Sequence, residues 1–302
     1  MDQIIKKYKL FWQEPVITEK IFYSQNKNDE LYFGFPWATI IDSEYLNINI
    51  NYNLLTNDLI ALKKPYRKYY TCCQHIRFKE LIELFKKLNI DTIYTPHKTF
   101  FENTISNINI FSCPLYAVNI EDPNRNLLYK ESKDKLITHS RPYLLSFQGA
   151  FTARYISNIR DNILNMKWPD NCIIRKTGEW HFQKDVYGIT NCKHKTDLNK
   201  ECEEYNNLLL NSRFSLCPSG TGPNSIRLWE SLAFGSIPIL LADTLELPEH
   251  PLWNVSIIRV EEKNLKQIPD ILSKITPEME QEMRTNCIQI YKYFKINYKN
   301  KL

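Results

Sequence analysis

The apolar positions of the chain fall into blocks of alternating period. "RKYYTCCQH" (67–75) is rich in β-formers. "IRFKELIELFKKLN" (76–89) places apolar residues at 78, 81, 82, 84, 85 and 88, the spacing of a buried helix face. "IDTIYTPH" (90–97) then predicts another strand, "NINIFSCPLYAVN" (107–119) a later one, and "ELYFGFPWATIID" (30–42) an earlier one. Strand, helix and strand with short links is the pattern of a parallel sheet.

The pattern restarts after a polar, charged stretch at 121–141, which reads as a link between domains. "PYLLSFQGAF" (142–151) predicts a strand running into a glycine loop, and "TARYISNIRDNILN" (152–165) its helix. "NCIIRKTG" and "WHFQKDVYG" are weaker, a strand and an irregular loop. Helix 200–212, strand 213–219, helix 223–235, strand 236–243 and strand 254–262 follow. A long helix closes the chain at 276–297, with Thr276 as N-cap and Pro277 in its first turn. The expected architecture is α/β of the GT-B type: two Rossmann-like domains with parallel sheets facing a cleft, at 1–137 and 138–302. The last helix is expected to pack back on the N-terminal domain.

"CPSGTGPNSIRLWESLAFGSIPILLAD" (217–243) holds three of the chain's seven glycines just ahead of a predicted helix. Glycine permits a tight turn and a close approach of backbone to ligand. With Pro223 starting the helix, the amides of Asn224, Ser225 and Ile226 would lack helical partners at its positive end, which makes a phosphate site. The hydroxyls of Thr221 and Ser225 add donors. Arg227 and Glu230 share one face; the Arg suits a diphosphate and the Glu the hydroxyls of a ribose. A plain turn and cap, with a surface Arg227–Glu230 salt bridge, accounts for the same residues without a ligand. Gly220, Gly222, Ser225 and Asp243 also come close to a dinucleotide fingerprint. Only about 60 residues follow Asp243, too few for the rest of an NAD-dependent oxidoreductase domain.

Composition narrows the classes. The chain has 302 residues, 43% hydrophobic and 13% aromatic, enough for real cores and against global disorder. Net charge is +5, from 39 basic and 34 acidic residues, which favours approach of an anion but excludes a dedicated nucleic-acid binder. The eight cysteines form no CxxC pair and no metal-ligand spacing, which predicts free thiols, a reducing compartment and no bound metal. No run approaches the roughly 20 apolar residues of a membrane span. The expected location is cytoplasmic, with peripheral membrane contact left open by Lys6, Lys7, Lys9, Leu10, Phe11 and Trp12.

The stretch "SRFSLCPSGTGPNSIRLWESLAFGSIPILLADTLELPEHPLW" resembles the signature block of the exostosin-like glycosyltransferases, family 47. The matching residues are Cys217-Pro218, Gly220, Ser225, Arg227, Glu230, Gly235, Ile237-Pro238, Asp243, Leu247-Pro248 and Trp253. "RPYLLSFQGAFTARYISNIRDNIL" is similar to the block that precedes it. The resemblance spans about 110 residues, from Arg141 to Trp253.

The resemblance implies a GT-B fold, a nucleotide-sugar donor in the C-terminal domain, no obligatory metal or other cofactor, and inversion at the anomeric carbon. UDP-sugar is the preferred donor, with GDP-sugar as the alternative, and the acceptor is a glycan, lipid-linked or free. The implied donor-side residues are Gly149, Arg154, Gly220, Thr221, Gly222, Asn224, Ser225, Arg227 and Glu230. Many members carry Arg before the loop glycine where this chain has Ser219, so a phosphate contact there is either missing or supplied by Arg154 or Arg160. The general base is expected from the N-terminal domain at a strand's carboxyl end: His75 first, then Asp42, then His97. A non-catalytic sugar- or nucleotide-binding module is the alternative on the same fold.

Overall fold

The computed structural model describes residues 1–122, 124–177 and 195–297. They form two compact α/β units. The first takes Met1–Tyr116 and a short return at Leu245–Pro248; the second takes the rest of the described chain.

In the first unit β1 (Tyr69–Cys72), β2 (Ile90–Thr95) and β4 (Ile108–Ser112) run parallel, and the two-residue β3 (Thr104–Ile105) pairs antiparallel with β4, in the order β1-β2-β4-β3. The helical segment Phe78–Lys87 connects β1 to β2, as its spacing predicts. Phe85, Leu88, Ile93 and Ile110 close the core between this segment and the sheet.

The strand expected at 30–42 is not one. Tyr32 makes a single bridge to Tyr70, and Trp37–Ile41 is a short helix behind Pro36. Phe33, Phe35 and Trp37 alternate in sequence and mimic a strand, yet all three are buried. The indole of Trp37 donates to Thr71 Oγ1 at 2.8 Å, and that hydroxyl donates to the Phe33 carbonyl at 2.6 Å, so the turn is pinned against β1. Asp42 therefore follows a helix and ends no strand.

In the second unit five strands run parallel in the order β6-β5-β7-β8-β9. They are β5 (Tyr143–Gly149), β6 (Cys172–Lys176), β7 (Ser212–Pro218), β8 (Ile237–Leu241) and β9 (Ile258–Arg259). β9 is only two residues, because Trp253–Ser256 within the strand expected at 254–262 turns as a helix. Helix Lys195–Asn211 leads into β7, and helix Ile226–Phe234 links β7 to β8. The latter ends at Gly235, whose φ of +66° is the left-handed cap that glycine favours. Its last carbonyls are taken by guanidiniums: Arg141 donates to Phe234 O at 2.6 Å, and Arg284 donates to Gly235 O.

Four further expectations change. The units part at 116/117 and not at 137/138. The polar stretch 121–141 is not a free link: Asn126 hydrogen-bonds Asn119, and Tyr129 packs edge-on to Phe234, all within the second unit. The helix expected from 152 begins only at Ile159, because Ile156 spends its N–H on Gly220 O at 2.9 Å. The terminal helix, Pro277–Asn297, docks on its own unit, where Phe294 meets Trp229 and Trp253 at 5.6 and 6.0 Å and Tyr291 donates to Glu121. Its Thr276 cap stands, with Oγ1 accepting the Met279 amide at 3.3 Å. The "WHFQKDVYG" segment lies outside the described residues.

One buried carboxyl makes the first unit's stability pH-dependent. Glu19 accepts the backbone amides of Gln74 at 3.0 Å and Ala38 at 3.2 Å. Burial pushes its pKa up to about 8, against those amide bonds, so it holds a proton at neutral pH. The native state then binds a proton that the unfolded chain releases near its ordinary 4.5, and stability falls as pH rises from there towards 8. Glu19→Gln keeps an acceptor oxygen and removes the titration. The Tm difference, variant minus parent, should grow steadily from pH 5 to pH 8; a constant difference would show that Glu19 is ionised throughout.

Candidate donor and acceptor sites

In the second unit the strand order reverses between β5 and β7: the chain leaves β5 for β6 on one side and returns to β7 on the other. Open parallel sheets bind ligands at such a switch point, outside the carboxyl ends of the strands. Gly149 ends β5, and the Ser219–Gly222 loop follows β7 at that edge. The two are held as one piece, by Ile156 N–H on Gly220 O and by Ser157 Oγ against Ser219 Oγ at 3.1 Å.

Two guanidiniums fill the switch point. Arg227, 8% exposed, lies 4.6 Å from the centre of the Phe147 ring and 5.8 Å from that of Tyr205, and donates to Gln148 O. Its Nε and Nη1 are buried and meet no acceptor. Arg160 lies over Tyr155 at 4.6 Å and on the rim of Phe147 at 6.0 Å, and donates from Nε to Ser219 O at 2.8 Å. Burial, then the like charge of Arg227, lowers its pKa to about 10. Neither arginine forms an ion pair among the described residues. The glycines make room for them. A Cβ on Gly149 would stand 3.2 Å from Arg227 Nη2, and one on Gly220 2.9 Å from Arg160 Nη2. Here glycine serves side-chain clearance and not left-handed backbone.

The other expected donor-side residues divide. The helix starts at Ile226, three residues later than expected, with Ser225 as N-cap. Ser225 Oγ takes the Arg227 amide at 3.4 Å, its carbonyl takes that of Leu228 at 3.1 Å, and Asn224 Oδ1 takes the Ser225 amide at 2.8 Å. The Ser225, Arg227 and Leu228 amides thus serve the turn and cap. Glu230 is buried and not on an exposed face. It accepts from Asn119 Nδ2 at 2.9 Å and Tyr205 OH at 2.6 Å, forms no salt bridge with Arg227, and fixes the Tyr205 ring. Burial raises its pKa, against the Tyr205 and Asn119 bonds. Thr221 and Arg154 are exposed, and Gly222 O accepts the Gly220 amide. Asp243 Oδ1 is used by the Glu262 amide, which removes it from the dinucleotide reading. Phe147, Gln148, Tyr205 and Asn119 carry no local signature in the sequence and emerge only from packing.

The base candidates gather in the first unit. Asp42 is 2% exposed and saturated: it faces His75 Nε2 at 3.1 Å, Gln13 Nε2 at 3.1 Å and Arg77 Nη2 at 2.9 Å. Burial pushes its pKa up, but His75, Gln13 and Arg77 outweigh burial and hold the carboxyl below its usual range. His75 Nδ1 accepts the Arg77 amide at 3.0 Å. A neutral imidazole with an acceptor at Nδ1 carries its proton on Nε2, aimed at Asp42. Asp42 therefore orients the ring, and Nδ1 is the basic face. His97 is buried with no partner for Nδ1; burial, then the charge of His75, drops its pKa to about 3. It is neutral across the working range and a weak base. Its neighbour Lys98 is tied to Glu246 at 2.6 Å. Among the described residues no three His, Cys, Asp or Glu side chains come together as a metal site.

Residues 95–275 match the model of the exostosin GT47 domain. The Exostosin-1 homolog of Caenorhabditis elegans is 29% identical over 209 residues, covering 63% of this chain and 50% of that protein. Human Ribitol-5-phosphate xylosyltransferase 1 is 24% identical over 216 residues, covering 65% of this chain and 44% of its own. The chain thus spans half the length or less of these curated relatives. Among solved structures, the Candida albicans trehalose-6-phosphate phosphatase N-terminal domain superposes with a TM-score of 0.42 at 12% identity, over 84% of this chain and 72% of that one. The family match covers well over half of the chain and contains β7, the glycine loop and both arginines. The chain belongs to the exostosin GT47 domain family.

Proposed function

We propose that this chain is an inverting glycosyltransferase that moves a sugar from a nucleoside-diphosphate sugar to a hydroxyl of a glycan acceptor. UDP is the preferred nucleotide and GDP the alternative. The carrying observation is the pair Arg160 and Arg227: two guanidiniums at a strand-order switch point that form no ion pair among the described residues, with two buried donors of Arg227 left without an acceptor. A buried cation without a partner is costly, and a bound diphosphate removes that cost. The same charges stabilise the diphosphate as it leaves, which lets the transfer proceed without a metal ion.

On the acceptor side, Asp42 holds the Nε2 proton of His75 and leaves Nδ1 as its basic face. An acceptor hydroxyl must displace the Arg77 amide to donate to that nitrogen. His75 then takes the proton as the hydroxyl oxygen attacks the anomeric carbon.

The donor reading makes an uncommon forecast for Arg227→Met. The thioether chain keeps the packing against Phe147 and removes an unpaired charge, so the ligand-free variant should melt at the parent's temperature or above it. Its affinity for UDP, measured by calorimetry in excess chelator, should fall roughly ten- to hundredfold. A variant that melts early and binds UDP like the parent makes Arg227 structural. UDP binding by the parent that is lost in chelator and restored by Mg²⁺ overturns the metal-free reading.

For the base, His75→Ala should lower turnover by roughly 10²–10⁴-fold while UDP affinity stays put. Hydrolysis or transfer of the UDP-sugar gives the rate. A variant within about tenfold of the parent removes His75 from the chemistry. The same measurement then goes to Asp42→Asn and His97→Ala.

A further inference from the structure

One buried carboxyl holds the backbone on both sides of the Asp42–His75 pair. Glu19, in helix Thr18–Asn26, is 1% exposed. Its Oε1 accepts the Gln74 amide at 3.0 Å and the Ala38 amide at 3.2 Å, and its Oε2 shares the Ala38 amide at 3.3 Å. Each amide is one short step from a member of the pair. Gln74 directly precedes His75. Ala38 lies in the first turn of helix Trp37–Ile41, and its carbonyl takes the Asp42 amide at 3.0 Å. Asp42 and His75 are 33 residues apart in the chain, and Glu19 ties the two segments to one point.

The tie is itself braced. Gln74 Oε1 accepts the Glu19 amide at 3.0 Å, and Gln74 Nε2 donates to Val16 O at 2.8 Å. Thr18 Oγ1 accepts the Tyr116 amide at 2.9 Å, and the Ile17 amide goes to Tyr116 O at 2.9 Å. All of these residues belong to the first unit. A cap for a five-residue helix would need one of the Glu19 bonds; the second reaches across to the loop that carries the imidazole.

The pair has little tolerance for movement. His75 Nε2 stands 3.1 Å from Asp42 Oδ2. A retreat of about 0.5 Å by either backbone ends that bond. Burial keeps Glu19 protonated at neutral pH, against its amide bonds. A neutral carboxyl accepts both amides without setting a second anion beside Asp42.

On the reading that His75 is the base, we propose that Glu19 is a positioning residue of the acceptor site: it sets the distance between Asp42 and His75, and so keeps the ring proton on Nε2 and leaves Nδ1 to the acceptor hydroxyl. Glu19, Asp42 and His75 all precede residue 95, where the family match begins.

Three variants test this. Glu19→Met fills the space and offers no acceptor. Glu19→Asp keeps the carboxyl but draws it back by one carbon, out of reach of both amides together. Glu19→Gln keeps an acceptor oxygen. The proton resonance of the His75 Nε2–H, assigned by its loss in His75→Ala, reports the bond to Asp42. It should stand downfield and protected in the parent and in Glu19→Gln, and be lost to exchange with water in Glu19→Met and Glu19→Asp. In those two variants kcat should fall roughly ten- to hundredfold, while KM for the UDP-sugar and UDP affinity stay put. Glu19→Gln should turn over like the parent. In a His75→Ala background Glu19→Met should cost nothing further, because it acts through the ring. The proposal is overturned if the Nε2–H signal survives in Glu19→Met and Glu19→Asp, or if the double variant loses rate additively. Failure of both variants to fold overturns it too, since Glu19 then serves the fold alone. The resonance needs no transfer activity. Its loss with turnover unchanged keeps Glu19 as the residue that positions the ring and overturns His75 as the base.

Discussion

Arg227 is a buried guanidinium of the second unit that forms no ion pair among the described residues, and much of the surrounding structure follows from that. Its guanidinium lies near the rings of Phe147 and Tyr205, so they take up part of the charge. Gln148 O accepts one donor and fixes the direction of the rest. Tyr205 must then hold its own place, and Glu230 holds it through the phenol. Asn119 completes Glu230 and, through Asn206, ties in the long helix before β7. A network built outward from an unsatisfied cation is organised around something that arrives from outside.

The buried arginines elsewhere show the contrast. Arg141 gives four hydrogen bonds to carbonyls, of Leu136, Leu209, Ser212 and Phe234. Arg284 pairs with Glu280 and caps Gly235. Both stand where helix carbonyls lie unpaired and the helix dipole is negative. Those guanidiniums are spent on the fold. Arg227 sits in the first turn of its helix, the positive end, where a cation is disfavoured and an anion is welcome. Position relative to the dipole separates these structural arginines from Arg227, to which the proposed function gives the diphosphate.

The helix and strand periods, together with the signature block, made most of the second sheet legible in sequence. They failed where composition misled. Phe33, Phe35 and Trp37 alternate as a strand would, but Pro36 and three buried rings make a turn and a helix. The stretch 121–141 is polar enough to read as a link, yet its Asn126 and Arg141 are buried and bonded. Arg227 and Glu230 are one helical turn apart, which suggests a mutual salt bridge; burial sends them to different partners. Asp42 and His75 were each legible as candidates, but their pairing is tertiary, across 33 residues of chain. Phe147 and Tyr205 left no sequence signal, since an aromatic on a core strand or helix is ordinarily just packing.

Ser219 shows how the site keeps its charge when one position departs from the family pattern. The serine is not a gap: its hydroxyl donates to Glu262 and contacts Ser157, and its carbonyl takes the Nε of Arg160. The second cation thus comes from the crossover between β5 and β6, while Arg227 comes from the crossover between β7 and β8. An arginine carried by the loop itself would swing with the loop. Two arginines seated on separate helices, both near the Phe147 ring and over two glycines, are spaced by the sheet. The separation of the two charges is then fixed before any diphosphate binds, so less ordering is left for the ligand to impose, and electrostatic stabilisation of a leaving group works best when it is already in place.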